Sequence, residues 1–195
     1  MVYLMREKEI LLISDLHDSV SGLRKLKEWC QNSTFDLVLS AGDLTSTPNP
    51  NQIKALKTIL SLLPQNVPFL GIAGNNEREE TIAWMKEQNL FLEEKKLFGL
   101  RFVGISGWGE DIPQISEPFD QKTILITHVP PKNFPRGRIE TEKFKNQPKM
   151  HFFGHLHHDF FERKIGDIRV IHIPSLLLGK GLVLTLPNFK IKTLD

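Results

Sequence analysis

A chain of 195 residues that is 40% apolar and 25% charged has the balance of one globular domain with an ordinary core, which excludes disordered and fibrous classes. Its net charge of +2 provides no global basic field of the kind that marks many nucleic-acid binders. A single cysteine, Cys30, excludes an internal disulfide framework and suits a reducing cytoplasm, the expected location. No stretch approaches the ~20 apolar residues that span a bilayer, and Met1–Lys8 lacks a signal-peptide core, so no membrane association is expected.

Glu9–Ser14 (EILLIS) is a short apolar run that reads as a strand. Ser19–Gln31 follows with Val20, Leu23, Leu26 and Trp29 at helical spacing, and Cys30 is expected there as a buried structural thiol. Asp36–Ala41 is the second strand, and Asn51–Leu63 the second helix, with Ile53, Leu56, Ile59, Leu60 and Leu63 on one face. Phe69–Ala73 makes a third strand before a helix near Glu79–Gln88. Continuous apolar strands alternating with amphipathic helices predict parallel βαβ units.

After about Leu90 strands dominate: Leu97–Ile105, Lys122–Thr127, Met150–Phe153, Phe160–Ile165, Ile168–Ile173 and Gly181–Leu186, with Gly166-Asp167 as hairpin punctuation. A βαβ half followed by a strand-rich half predicts an α/β fold of two packed sheets with helices outside, in one domain over residues 1–195. Two long connections, Gly107–Gln121 and Pro130–Lys149, are rich in Pro, Gly and charge, as functional loops often are. Residues 132–149 hold six basic and two acidic side chains.

Five apolar runs end in residues that bind metal: Asp15-Leu16-His17, Gly42-Asp43, Gly74-Asn75, Thr127-His128 and Gly154-His155-Leu156-His157. Each has an ordinary explanation when taken alone. His128 could be a satisfied polar residue, Asn75 a turn residue and Asp43 a cap. The set is harder to dismiss, because strand ends present side chains to one shared crevice in an open α/β sheet. Seven ligands are too many for one tetrahedral zinc and suit two metal ions.

The order Asp-x-His, Gly-Asp, Gly-Asn-x-Glu, His, Gly-His-x-His, with the Pro174-Ser175 turn, resembles the calcineurin-like metallophosphoesterase superfamily. The resemblance implies a four-layer sandwich of two mixed β-sheets flanked by helices, with the metal site at strand ends. It implies Asp15, His17 and His157 as ligands of one ion, Asn75, His128 and His155 as ligands of the other, and Asp43 as the bridge. The implied activity is two-metal phosphoester hydrolysis, in which paired cations hold the phosphate oxygens and activate a bridging water for in-line attack. Imidazoles and an amide beside only two carboxylates disfavour Mg²⁺ and Ca²⁺ and fit Mn²⁺, Fe, Zn²⁺ or Ni²⁺.

One position departs from the family pattern. Asn76 stands where the family has a histidine that helps the leaving group depart, with the following acid orienting it. Asn76 can donate a hydrogen bond but no proton. Asp43, His128 and Asn76 are therefore the expected catalytic positions, and phosphodiesters or activated esters the expected substrates. Arg78, Lys132, Arg136 and Arg138 are candidate phosphate contacts. His151 and His172 are expected to be structural or exposed, and His158 to have at most a secondary role. The partner is expected to be a small phosphate ester, with nucleic acid relevant only as a nucleotide. Two rival readings are a docking scaffold on the same fold, using exposed Phe134, Phe144, Phe160 and Phe161, and a nuclease, ranked last on charge and chain length.

Overall fold

Strands β1 (Lys8–Ile13), β2 (Leu37–Ser40) and β3 (Phe69–Gly71) are apolar on both faces because both faces are covered. In β1, Ile10 and Leu12 join the core between two sheets, while Leu11 and Ile13 pack under helices. Successive side chains alternate faces, so one short run serves both cores. The computed structural model describes residues 6–109, 117–141, 144 and 146–195. In it, β1, β2 and β3 pair in parallel, and β10 (Gly181–Leu186) and β11 (Lys190–Leu194) add antiparallel on the far side of β1.

Helices α1 (Val20–Asn32), α2 (Gln52–Leu62) and α3 (Glu79–Glu87) cover the outer face of this sheet. Leu26 and Trp29 of α1, Leu56 and Ile59 of α2 and Met85 of α3 supply the contact. Ser19 caps α1 by accepting from the Gly22 N–H at 3.2 Å. Glu79 and Glu80 open α3 and Lys86 closes it, charges that complement the helix dipole.

The second sheet has the order β4 (Glu94–Leu97), β5 (Leu100–Ile105), β6 (Thr123–Thr127), β7 (Met150–Phe153), β9 (Ile168–His172), β8 (Phe161–Ile165). Its four central strands are parallel and its edge strands antiparallel. Phe102, Ile124, Ile126, Phe152 and Ile171 face the first sheet and form the central core with Ile10, Leu12, Leu37 and Leu39. The outer face is covered, among the described residues, by loop side chains. Phe119, Val129, Ile139 and Phe144 lie over Val103, Ile105 and Leu125, and Phe134 lies over Phe153, Ile168 and Val170.

The structure corrects several expectations. The run Leu97–Ile105 is two strands, because Phe98 and Gly99 both take positive φ (53° and 74°) and make a two-residue hairpin turn. β11 was not expected; its partly exposed alternation of Lys and apolar residues makes an edge strand. Phe134 is buried, 5.4 Å from the Phe153 ring and 5.6 Å from that of Phe161, and Phe144, Phe160 and Phe161 are only partly exposed. The rival docking reading drew on these four side chains, of which Phe134 is buried and the other three are partly buried by internal packing. Cys30 is half-buried, which raises its thiol to about 11. No helix among the described residues is long and apolar enough to cross a membrane.

Candidate metal centre

The parallel strands of both sheets end at one side of the sandwich. β1 leads to Asp15 and His17, β2 to Asp43, β3 to Asn75, β6 to His128, and β7 to His155 and His157. Five of these seven residues have left-handed backbone: Asp15, His17, Asp43, His155 and His157, at φ between 49° and 69°. Such conformations cost non-glycine residues on the order of 1–3 kcal/mol and persist only where surroundings enforce them. Enforcement here is by the backbone. The N–H groups of Asp15 and His17 donate to the carbonyls of Gly42 and Asp43 at 3.0 and 3.1 Å, tying the first loop to the second.

Two groups of side chains result. Asp15, His17 and His157 form one, and Asp43, His128 and His155 the other; within each, ligand atoms lie within 4.8 Å of one another. Asn75 joins the second group through Oδ1, 3.0 Å from His128 Nε2. Asp43 Oδ2 faces both groups, 3.3 Å from His128 Nε2 and 3.7 Å from His17 Nε2. His17 Nε2 and His157 Nε2 are 2.9 Å apart, and His155 Nδ1 is 3.2 Å from His128 Nε2. Asp15, Asp43, His128 and His155 are buried, whereas His17 and Asn75 are partly exposed and His157 exposed, so the site is open on one side.

The donor set fits metal ions. His128 Nδ1–H donates to the Ala41 carbonyl at 2.9 Å, which leaves the lone pair of a neutral ring on Nε2. That lone pair points at an amide oxygen and a carboxylate oxygen, both acceptors, beside another imidazole nitrogen. Only a proton or a cation reconciles such a cluster. Asp15 Oδ1 is likewise buried without a hydrogen-bond partner, although His157 Nε2 lies 3.3 Å away.

The same electrostatics appear in the titration of the cluster. Burial opposes the charge of Asp43, yet the His128 hydrogen bond and charge hold its carboxyl below the usual range. Burial would lower His128, but Asp43 and Asp15 prevail and raise it to about 9. Burial and the nearby His128 push His155 down to about 4. The Asp15 carboxylate facing its ring raises His157.

A supporting layer orients the groups. Glu77 accepts from the N–H of Asp43, Thr45 and Gly74 at 3.0, 3.0 and 2.7 Å, stapling the β2 loop to the β3 loop. Burial and the Asp43 charge raise the Glu77 carboxyl. Glu77 thus positions backbone at the ends of β2 and β3. Asn76 donates its backbone N–H to Asp43 Oδ1 at 2.8 Å and its amide Nδ2–H to Asp43 Oδ2 at 2.5 Å, and accepts from the Thr47 hydroxyl. Ser175 donates to the Asp15 carbonyl at 2.8 Å, so the Pro174-Ser175 turn holds the β1 end. His151 Nε2–H donates to Thr127 Oγ1 at 2.8 Å, and that hydroxyl donates to the Val129 carbonyl at 2.6 Å, bracketing His128.

The other polar candidates separate cleanly. His151 and His172 are buried and structural, and His158 is exposed. Arg78 donates to the Thr47 carbonyl at 3.1 Å and Lys132 pairs with Glu140 at 2.8 Å. Arg136 and Arg138 line a cavity of about 360 Å³ with Trp108 and His155. Sequence reasoning did not single out Trp108; its indole meets the His155 ring edge-on at 5.2 Å, and the Arg138 guanidinium sits 4.7 Å over it. The only available signal was a tryptophan between two glycines in a long loop. The remainder of the expected loop function, at residues 110–116, 142, 143 and 145, lies outside the described residues.

Two mixed sheets that bring aspartates and histidines to one shared end define the metallophosphoesterase class of α/β sandwiches. The chain belongs to the calcineurin-like phosphoesterase family, whose profile matches residues 8–159. No curated protein sequence matches it. Among solved structures it is similar to TT1561 of Thermus thermophilus, at 14% identity and a TM-score of 0.71, covering 96% of this chain and 98% of that one. It is also similar to an archaeal phosphodiesterase, at 18% identity and a TM-score of 0.60 over 95% and 98% of the two chains. A dimetal phosphatase from Danio rerio shares 11% identity and a TM-score of 0.58 over 95% and 98%. At these identities the likeness is one of fold.

Proposed function

We propose that this chain is a two-metal phosphoesterase that acts on phosphodiesters or activated phosphate esters. The observation that carries the reading is Asp43 Oδ2, one carboxylate oxygen facing both ligand groups at 3.3 and 3.7 Å. Asp15, His17 and His157 would hold one ion, Asn75, His128 and His155 the other, and Asp43 would be shared. The nitrogen-rich set favours Mn, Fe, Zn or Ni over the hard cations. When bound, such a pair supplies Lewis-acid polarisation of phosphate oxygens and an activated water.

What the chain itself contributes supports one substrate class. His17, His157 and Asn75 mark the open side of the site, where a phosphate can approach. Trp108, Arg136 and Arg138 stand beside His155 and offer an indole and two guanidinium groups to the organic part of the ester. Asn76 offers an amide at the position where a poor leaving group needs a proton, which favours esters whose leaving oxygen is already a stable anion. A small phosphate ester, nucleotides included, is therefore the substrate, and a cytoplasmic setting suits the lone unpaired cysteine.

Elemental analysis after reconstitution with Mn²⁺ should give two ions per chain, together with hydrolysis of bis-p-nitrophenyl phosphate. Asp43→Ala should lose occupancy at both positions, because the carboxylate is shared. One ion in the native protein, or full occupancy in the Asp43 variant, would sink the two-metal reading.

A further inference from the structure

A second cavity, of about 540 Å³, lies at the opposite end of the sandwich. Lys8 begins β1, Leu100 begins β5, and Lys122 and Lys149 immediately precede β6 and β7, so the cavity opens where the ligand-bearing strands start. Asp15 lies seven residues beyond Lys8 along an extended strand, roughly 20 Å away at about 3.3 Å per residue. The cavity is thus separate from the metal centre and owes nothing to the proposed hydrolysis. Its volume falls in the ordinary range of small-molecule sites, about 300–1,000 Å³.

The chemistry of its lining is one-sided. Phe98, Leu100, Leu186, Pro187 and Phe189 make an apolar floor drawn from both sheets. Among the described residues, every charged side chain that lines it is cationic: Arg6, Lys8, Lys122 and Lys149. Acids near the rim offset only part of this charge. Asp36 accepts from Lys8 Nζ at 2.7 Å and also feels Arg6, and Asp120 accepts from the backbone N–H of Lys122 at 2.9 Å. The Lys149 ammonium lies 4.5 Å from the Phe189 ring centre and that of Lys8 5.5 Å from Phe98. Both ammonium groups thus stand over aromatic rings of the floor, so apolar surface and positive charge are presented together.

We propose that this cavity binds a small amphipathic anion. An acyl or aryl body would sit on Phe98, Leu100, Leu186 and Phe189, with a carboxylate or phosphate against Lys122, Lys149 and Arg6. A neutral apolar ligand would leave the cationic rim unanswered, and a cationic one would be repelled by it. Burial of the apolar body on this floor adds to the pairing of its head group with the cationic rim.

The test is calorimetric titration of the metal-loaded 195-residue chain with decanoate, decyl phosphate, decanol and decyltrimethylammonium, each below its micellar concentration. Decanoate or decyl phosphate should bind at least tenfold more tightly than the neutral and cationic analogues, and the two anions tell a carboxylate site from a phosphate site. The double variant Lys122→Glu/Lys149→Glu, at strand starts, should weaken the anion at least tenfold with metal content and circular dichroism unchanged. Arg6→Glu, in an exposed position, should act in the same direction and stands in if the double variant misfolds. Asp43→Ala should bind decanoate as the native protein does. Equal affinity for all four compounds, no binding at millimolar anion, or unchanged affinity in the charge variants would overturn the proposal. So would loss of decanoate binding in Asp43→Ala, which would place the anion at the metal centre.

Discussion

Asn76 is committed twice to Asp43, by its backbone N–H and by its side-chain amide. It therefore steadies the carboxylate that faces both ligand groups and has no proton to give a departing alkoxide. General acids supply roughly 10²–10⁴-fold in rate, a factor that matters for alkyl monoesters and little for nitrophenolate. The expected result is metal-dependent turnover of nitrophenyl esters, especially diesters, with weak turnover of serine phosphate. Asn76→His should raise the ratio of alkyl to aryl rates; equal native rates on both classes would show that another group already serves as the acid. His151 makes a separate prediction about stability. Burial lowers its imidazole from 6.5 to about 3, so the folded protein keeps it neutral. The unfolded chain takes up a proton near pH 6.5 that the folded one refuses. Stability present above pH 6.5 is thus lost as pH falls toward 3, by up to about 1.4 kcal/mol per pH unit for one proton. Urea titrations of His151→Gln should show a flatter profile between pH 7 and 5 than the native protein, and an identical slope would refute the assignment.

At the scale of elements, the turns after β1, β2, β3 and β7 convert parallel strands into ligand holders. Their glycines matter through space as well as φ. A Cβ on Gly74 would lie 2.1 Å from Asp43 Oδ1 and 2.6 Å from the Asp43 backbone nitrogen, and one on Gly154 would lie 1.9 Å from Ser14 Oγ. Gly99, by contrast, has positive φ but nothing within 4 Å of such a carbon. Gly74→Ala should therefore weaken metal binding at least tenfold and cost roughly 1–3 kcal/mol from overpacking. Gly99→Ala should carry only a backbone penalty of about 1 kcal/mol and leave metal binding intact. Metal titrations of the two variants side by side distinguish a displaced Asp43 from general loosening.

The whole molecule is held in two ways at the site end. A central core of Phe102, Ile126, Phe152, Ile10 and Leu12 joins the sheets through apolar contact. Beyond it, Asp15, His17, Asp43 and Asn75 come from the first sheet, and His128, His155 and His157 from the second. Ions at this seam would bind the folded state alone and clamp the two sheets. At a hundredfold excess over Kd, one site adds about 2.7 kcal/mol, or roughly 5–10 °C in Tm for a domain of this size. Stripping with a chelator should lower Tm by that order and Mn²⁺ or Zn²⁺ should restore it. A Tm indifferent to both treatments would mean that the sheets are held by the core alone.

Much of this was decided locally. EILLIS and DLVLSA read as doubly covered strands because every residue after the leading acid is apolar or small, and helical spacing marked α1 to α3. The seven ligand candidates were legible because each closely follows an apolar run, and a strand end can only point outward into a crevice. Composition alone set the near-neutral charge and the absence of a disulfide framework. Local pattern failed where a residue contradicted its type. Phe98 is no ordinary turn former, so the β4–β5 hairpin was read as one strand, and the phenylalanines expected at the surface pack on the second sheet. Periodicity says which face of a strand is apolar, but not which strand lies beside it or what covers it. The meeting of Asp43 with both ligand groups, the commitment of Asn76 to that carboxylate and the place of Trp108 beside His155 therefore depend on how the two sheets stack. The far cavity does so as well, since its floor joins strand ends more than eighty residues apart, such as Leu100 and Leu186. Those contacts are long-range consequences of burial, and only the tertiary structure decides them.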